Sequence, residues 1–173
     1  MKHLILAPLI YLLCMSHVSA AYQPPLLKGI RQYDIGMAPN FKLQDIDDVP
    51  FELKDTRGNW VFLHFWASWC GPCRKEMPTI EKLIEKTRDK NFKVIMVNTA
   101  EDDDTIFTFM ASVGLEATTL MDRDGLITEK YKPRGLPTTF LIDPTGRVRY
   151  QAIGGREWDN PEYIKFINEL VKH

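Results

Sequence analysis

Seven consecutive residues constrain this chain more than any others: Trp60-Val61-Phe62-Leu63-His64-Phe65-Trp66 is apolar at every position but one. A strand with one wet face alternates apolar and polar residues. A run without alternation fits a strand covered on both faces, as in a sheet packed between helices. The chain then passes through Ala67-Ser68 to Trp69-Cys70-Gly71-Pro72-Cys73. Further on, Ile80, Leu83, Ile84 and Thr87 fall on one helical face. The reading is a buried strand, a short turn, and a helix starting near Cys70. Pro78 lies inside that helix and is expected to kink it.

The remaining segments fit the same α/β scheme. Phe41 to Asp45 alternates like a strand, Phe51-Glu52-Leu53 reads as a second, and Thr56-Arg57-Gly58-Asn59 as a turn. Lys93 to Asn98 is another buried strand. Asp102-Asp103-Asp104 places acid at the start of a helix running through Ile106, Phe107, Phe109 and Met110 and stopping near Gly114. A short strand at Thr118 to Met121 and one or two helical turns at Ile127 to Tyr131 follow. Thr138 to Asp143 and Arg147 to Ile153 form a hairpin about Pro144-Thr145-Gly146. Asn160, Pro161 and Glu162 open a closing helix with Tyr163, Ile164, Phe166, Ile167 and Leu170 inward.

Ahead of all this, residues 1–20 read as an export signal. Lys2 is basic, Leu4 to Met15 is apolar apart from Pro8, and Val18-Ser19-Ala20 offers a small-residue cleavage site after Ala20. An inner-membrane tether is the alternative, but that run is shorter than the roughly 20 apolar residues a spanning helix needs. Cys14 could suggest lipidation, although Leu13 before it is bulky for such a site. Residues 21–35 read as an extended lead, with Pro24-Pro25 resisting helix and strand, and residues 36–173 as one domain. The expected location is the periplasm. The 22 basic and 23 acidic side chains nearly balance, which argues against nucleic acid as a partner. Nothing in the sequence demands more than a monomer.

Cys70 and Cys73 are the only cysteines beyond the leader. A pair so close in sequence closes a tiny loop and stabilises a fold little. The spacing favours a chemical use over a structural one. Helix N-termini carry unpaired N–H groups and partial positive charge, which stabilise a thiolate. Cys70, at the helix edge, is expected to attack a disulfide. Cys73, one turn in, is expected to resolve the mixed disulfide. No cofactor beyond this redox pair is called for.

Competing readings attach to each residue. A Cys-x-x-Cys pair can be half a zinc site, but only His64 and His173 remain as ordinary further ligands in the mature chain. The pair could also be a static staple. Arg74 and Lys75 add positive charge or are merely solvated. Pro137, in Gly135-Leu136-Pro137, either ends a loop or forms a cis bond that presents the backbone of Leu136 to a bound peptide. Glu76, three residues beyond Cys73, either pairs with a lysine at the surface or relays a proton for that sulfur. His64 is either a hydrogen-bonded core residue or tunes Cys73.

The segment Phe65-Trp66-Ala67-Ser68-Trp69-Cys70-Gly71-Pro72-Cys73-Arg74-Lys75-Glu76-Met77-Pro78 resembles the active-site stretch of the TlpA/ResA-like branch of the thioredoxin superfamily. Gly135 to Asp143 resembles that branch's cis-proline stretch. The resemblance spans roughly residues 36–172 and implies a thioredoxin fold: a central mixed sheet flanked by helices. It adds an N-terminal β-hairpin and a central insertion at residues 99–122. It also implies an extracytoplasmic thiol-disulfide oxidoreductase, often a reductant, re-reduced by a membrane electron donor. By the same resemblance Cys70 attacks, Cys73 resolves, Pro137 is cis and Glu76 assists proton transfer. Trp69, Gly71, Pro72, Leu136 and Pro137 would meet protein thiols and disulfides. His64 departs from the pattern: thioredoxins proper carry aspartate there and this branch commonly asparagine.

Three rivals share the fold. A disulfide donor runs the same chemistry backwards. A peroxidase would place a threonine shortly before its reactive cysteine, where this chain has Ser68-Trp69. A binding protein, such as a copper carrier or a redox-silent chaperone, is the third; copper carriers of related fold add a histidine near the cis-proline, and residues 130–140 have none. Cytochrome c maturation, repair of exported proteins and metal stress are all open as physiological settings.

Overall fold

The computed structural model describes residues 27–114 and 117–172. The expected leader, its cleavage site and Cys14 lie outside the described residues. In chain order the elements are β1 (Ile30–Gln32), β2 (Lys42–Gln44), β3 (Pro50–Glu52), a 3-10 turn (Leu53–Thr56), β4 (Trp60–Trp66) and α1 (Gly71–Thr87). There follow β5 (Phe92–Thr99), α2 (Asp103–Val113), β6 (Thr119–Asp122), α3 (Leu126–Tyr131), β7 (Thr138–Ile142), β8 (Val148–Ile153) and α4 (Pro161–Leu170).

Six strands form one mixed sheet in the order β1-β8-β7-β4-β5-β6. The apolar strand β4 is central, parallel to β5 and antiparallel to β7, with Leu63 opposite Ile95 and Phe140. Val61 to Trp66 are each at most 1% exposed, so both faces are covered. Val61, Leu63 and Phe65 pack with Phe41, Leu53, Tyr131 and Phe140. Phe62 and Trp66 pack on the other side with Met77, Ile80, Leu83, Trp158 and Phe166. Each such apolar side chain contributes about 1.5–3 kcal/mol on burial. His64 falls between Phe62 and Trp66 in the alternation and so shares their face, beneath α1.

The thioredoxin fold is therefore present, with β2 and β3 pairing as a separate N-terminal hairpin and α2 and β6 occupying the insertion. Helix ends follow the expected chemistry. Asp102 accepts from the Thr105 amide, Gly114 closes α2 at φ 65°, and Asn160 accepts from the Glu162 amide. The helix α3 starts at Gly125, which has no capping side chain. Buried Asp122, at the end of β6, accepts from the Ile127 and Thr128 amides instead, at 3.0 and 2.7 Å.

One detail differs from the sequence reading. The stretch expected as a lead, residues 21–35, contains β1, which joins the main sheet by pairing with β8. Its three residues bury only Ile30, too little to show as a pattern. Helix α1 runs through Pro78 to Thr87, as its apolar spacing implied, although Pro78 has no N–H for the Arg74 carbonyl. Among the described residues no helix is long and apolar enough to cross a membrane.

Candidate active site

Cys70 is the N-cap of α1. Its backbone is extended (φ −79°, ψ 104°), and its sulfur accepts a hydrogen bond from the Cys73 amide at 3.2 Å. In most helices a Ser, Thr, Asp or Asn oxygen fills this role. Here sulfur does, at the positive end of the helix dipole, with no acidic side chain in the first turn to oppose it. Gly71 and Pro72 supply the first two helical positions, and Pro72 forfeits an amide that would have had no partner. Cys70 and Cys73 are joined as a disulfide with their Cα atoms 5.2 Å apart. Cys73 is fully buried, Cys70 is 5% exposed, and Trp69 beside it is 70% exposed.

Glu76 lies one turn beyond Cys73 on the same side of α1 and is 2% exposed. The surface pairing with a lysine is therefore absent. Its Oε2 accepts from the Trp158 indole N–H at 3.0 Å and from the Arg156 amide at 3.1 Å. Its Oε1 stands 3.2 Å from Nε2 of His64, an ion-pair distance, yet neither atom makes a well-aligned hydrogen bond. Nδ1 of His64 meets the Thr139 hydroxyl at 2.9 Å, and its ring stacks on Phe62. One buried cluster thus joins β4, α1, β7 and the segment before α4.

The Leu136–Pro137 bond is cis. The paired register of β7 begins at Thr138, so the backbone of Gly135 and Leu136 lies outside the ladder. The Pro137 carbonyl accepts from the Gly154 amide at 2.8 Å. Gly155, next in line, packs on Pro72: a Cβ there would lie 2.9 Å from the Pro72 carbonyl oxygen. The loop after β8 therefore ties the cis-proline to the first turn of α1. From the other side, the Glu101 carboxylate accepts from the Ser68 amide at 2.7 Å and from the Asn98 amide side chain at 2.7 Å. It fixes the turn that delivers Cys70.

The sequence reading did not single out Trp158, Thr139, Glu101 or Gly155. Trp158 lies 82 residues from the carboxylate it serves and sits in an irregular loop, with no periodicity to expose it. Thr139 could have been found from the strand register, since it stands opposite His64.

The arrangement is that of a dithiol–disulfide couple: one sulfur at a helix start, a second fully buried one turn in, and a buried carboxylate one turn further along the helix. Comparison with known proteins agrees. The AhpC/TSA family matches residues 36–151. The thiol-disulfide oxidoreductase ResA of Bacillus anthracis is 39% identical over 131 residues, 75% of this chain and 76% of that protein. A Chlorobium tepidum protein described as thiol:disulfide interchange protein DsbE superimposes with a TM-score of 0.71 at 36% identity, over 78% of this chain and 95% of that one. A Bacteroides thetaiotaomicron protein described as a protein disulfide isomerase gives 0.73 at 32% identity, over 84% and 94%. By sequence, fold and the placement of its cysteines, the chain belongs to the AhpC/TSA family and is a thiol-disulfide oxidoreductase of the ResA type.

Proposed function

We propose that this enzyme works outside the cytoplasm as a reductant of disulfides in exported proteins. The observation that carries the reading is the Cys70 sulfur acting as N-cap of α1, bonded to a buried Cys73. In the dithiol form the Cys70 thiolate attacks one sulfur of a substrate disulfide, and the other leaves as a thiolate. Cys73 gives its proton to Glu76 and attacks Cys70 Sγ. The Cys70–Cys73 bond forms, the substrate's second sulfur leaves, and two electrons have passed to the substrate.

Trp69, Gly71 and Pro72 offer the apolar rim for that substrate. Leu136, held by the cis bond to Pro137, offers backbone outside the sheet ladder against which an extended peptide can pair. The apolar leader at residues 4–15 supports export to a periplasm. A protein acting there as a monomeric reductant needs its own electrons from a membrane donor. Apocytochrome c, with its paired cysteines, belongs to the substrate class this site suits.

The test is insulin reduction with both single variants. Cys70→Ser should abolish activity and form no mixed disulfide, whereas Cys73→Ser should trap one. Full activity in Cys70→Ser would refute the mechanism. Titration of the couple against glutathione decides direction, because about 30 mV corresponds to roughly 1.4 kcal/mol. A potential well below that of glutathione fits a reductant, and one well above it would make the enzyme a disulfide donor.

A further inference from the structure

Four buried side-chain polar atoms among the described residues lack a hydrogen bond, and two of them face each other: His64 Nε2 and Glu76 Oε1. They are 3.2 Å apart. Two acceptors at that distance with nothing between them repel, and one proton placed between them satisfies both. The other atom of each group is already held. Glu76 Oε2 takes two N–H donors, and His64 Nδ1 contacts the Thr139 hydroxyl. When Nδ1–H donates to Thr139, the ring presents the lone pair of Nε2 to Glu76.

Resting on the dithiol mechanism above, we infer that His64 is a positioning residue whose Nε2 completes a one-proton slot with Glu76 Oε1. The slot receives the Cys73 proton when that sulfur attacks. The balance is simple. Cys73 S–H loses its proton, the proton lodges between Oε1 and Nε2, and the negative charge passes from the carboxylate to sulfur and then to the departing thiolate. Net charge in the core stays constant until the product leaves, so no uncompensated charge is buried.

Among the described residues the groups facing this slot are few. Phe62 comes from β4, Thr139 from β7 and Met96, opposite His64, from β5, while Cys73 precedes Glu76 by one turn of α1. Trp158 and Arg156 come from the segment before α4. The Arg156 guanidinium is engaged elsewhere, by the carbonyls of Gly29, Ile153 and Gly154, and offers Glu76 only its backbone amide.

The experiment follows the reduced protein with DTNB in stopped flow. Attack by Cys70 releases a first equivalent of thionitrobenzoate, and resolution by Cys73 releases a second. In His64→Asn the first phase should stay within about twofold of native. The second should slow about tenfold near pH 6 and approach native near pH 9, where hydroxide can replace the slot as base. A second phase with native rates and native pH dependence would overturn the inference and leave the dithiol mechanism standing. Release of only one equivalent of thionitrobenzoate by the native protein would overturn both. Should His64→Asn fail to fold, nitrogen NMR of the native His64 ring decides. The ring should show the tautomer with its proton on Nδ1 and an accepting Nε2, and the opposite tautomer, with the proton on Nε2 and Nδ1 bare, would overturn the inference.

Discussion

Gly155→Ala should damage the chemistry at Cys70 without touching either cysteine. The new Cβ would lie 2.9 Å from the Pro72 carbonyl oxygen and 3.2 Å from its Cβ, whereas ordinary contact begins at 3.4 Å. Pro72 is backbone and a rigid ring, so about half an ångström must come from the first turn of α1 or from the loop after β8. Such overpacking costs about 1–3 kcal/mol. If α1 gives way, the 3.2 Å hydrogen bond from the Cys73 amide to Cys70 Sγ lengthens and weakens. A hydrogen bond to a charged group contributes about 1.5–3 kcal/mol, and each 1.36 kcal/mol is tenfold in thiolate population. The expected result is a several-fold slower alkylation of Cys70 by iodoacetamide near pH 6.

Gly154→Ala is the internal control. Gly154 has φ +85° with open space around it, so alanine there is strained by about 1–2 kcal/mol but meets no atom within 4 Å. Both variants should melt several degrees lower, at about 3 °C per kcal/mol. Only Gly155→Ala should lose Cys70 reactivity. Native alkylation rates in Gly155→Ala would refute the claim that this loop sets the helix start.

Two further outcomes follow from the same geometry. Trp158→Phe keeps the ring packed edge-on against Phe62 but removes the donor to Glu76 Oε2. It should cost about 1–3 kcal/mol in denaturant titration and slow the second phase with DTNB more than the first. Asp143 anchors the β7–β8 turn. Burial alone would raise its pKa, but the Thr145 hydroxyl, the Arg147 amide and the Arg149 guanidinium together hold it below the usual carboxylate value. A depressed folded pKa gives stability that is complete above about pH 4 and is lost as pH falls through the folded value. Asp143→Asn should therefore be less stable than native near pH 7, by about 1–2 kcal/mol. In guanidinium titrations repeated at falling pH the gap should narrow as pH drops below the ordinary carboxylate value.

The parts legible in the sequence were those with a local signature. The continuous apolar run announced β4, and its helix followed from Cys70 and from the spacing of Ile80 and Leu83. Asp102, Gly114 and Asn160 marked helix ends because capping is settled within a few residues. The cis bond before Pro137 was open from the residues alone and expected only by resemblance to a family. What stayed hidden depends on contacts between distant segments. Strand β1 is held by β8 rather than by its own pattern. The protonation site was half visible: Glu76 and His64 stood out as residue types, but their meeting across the core needed the register of β4 against α1. The donors that hold Glu76, Trp158 and the Arg156 amide, come from an irregular loop whose sequence carries no periodic signal.

The account stands on the sulfur of Cys70 being the ionised, reachable one. The direct measurement is alkylation of the fully reduced protein across pH, with mass spectrometry to locate the label. The structure requires the label on Cys70 alone, with a midpoint well below the ordinary thiol value of about 8.5. Labelling of Cys73 first, or a midpoint at that ordinary value, would contradict it.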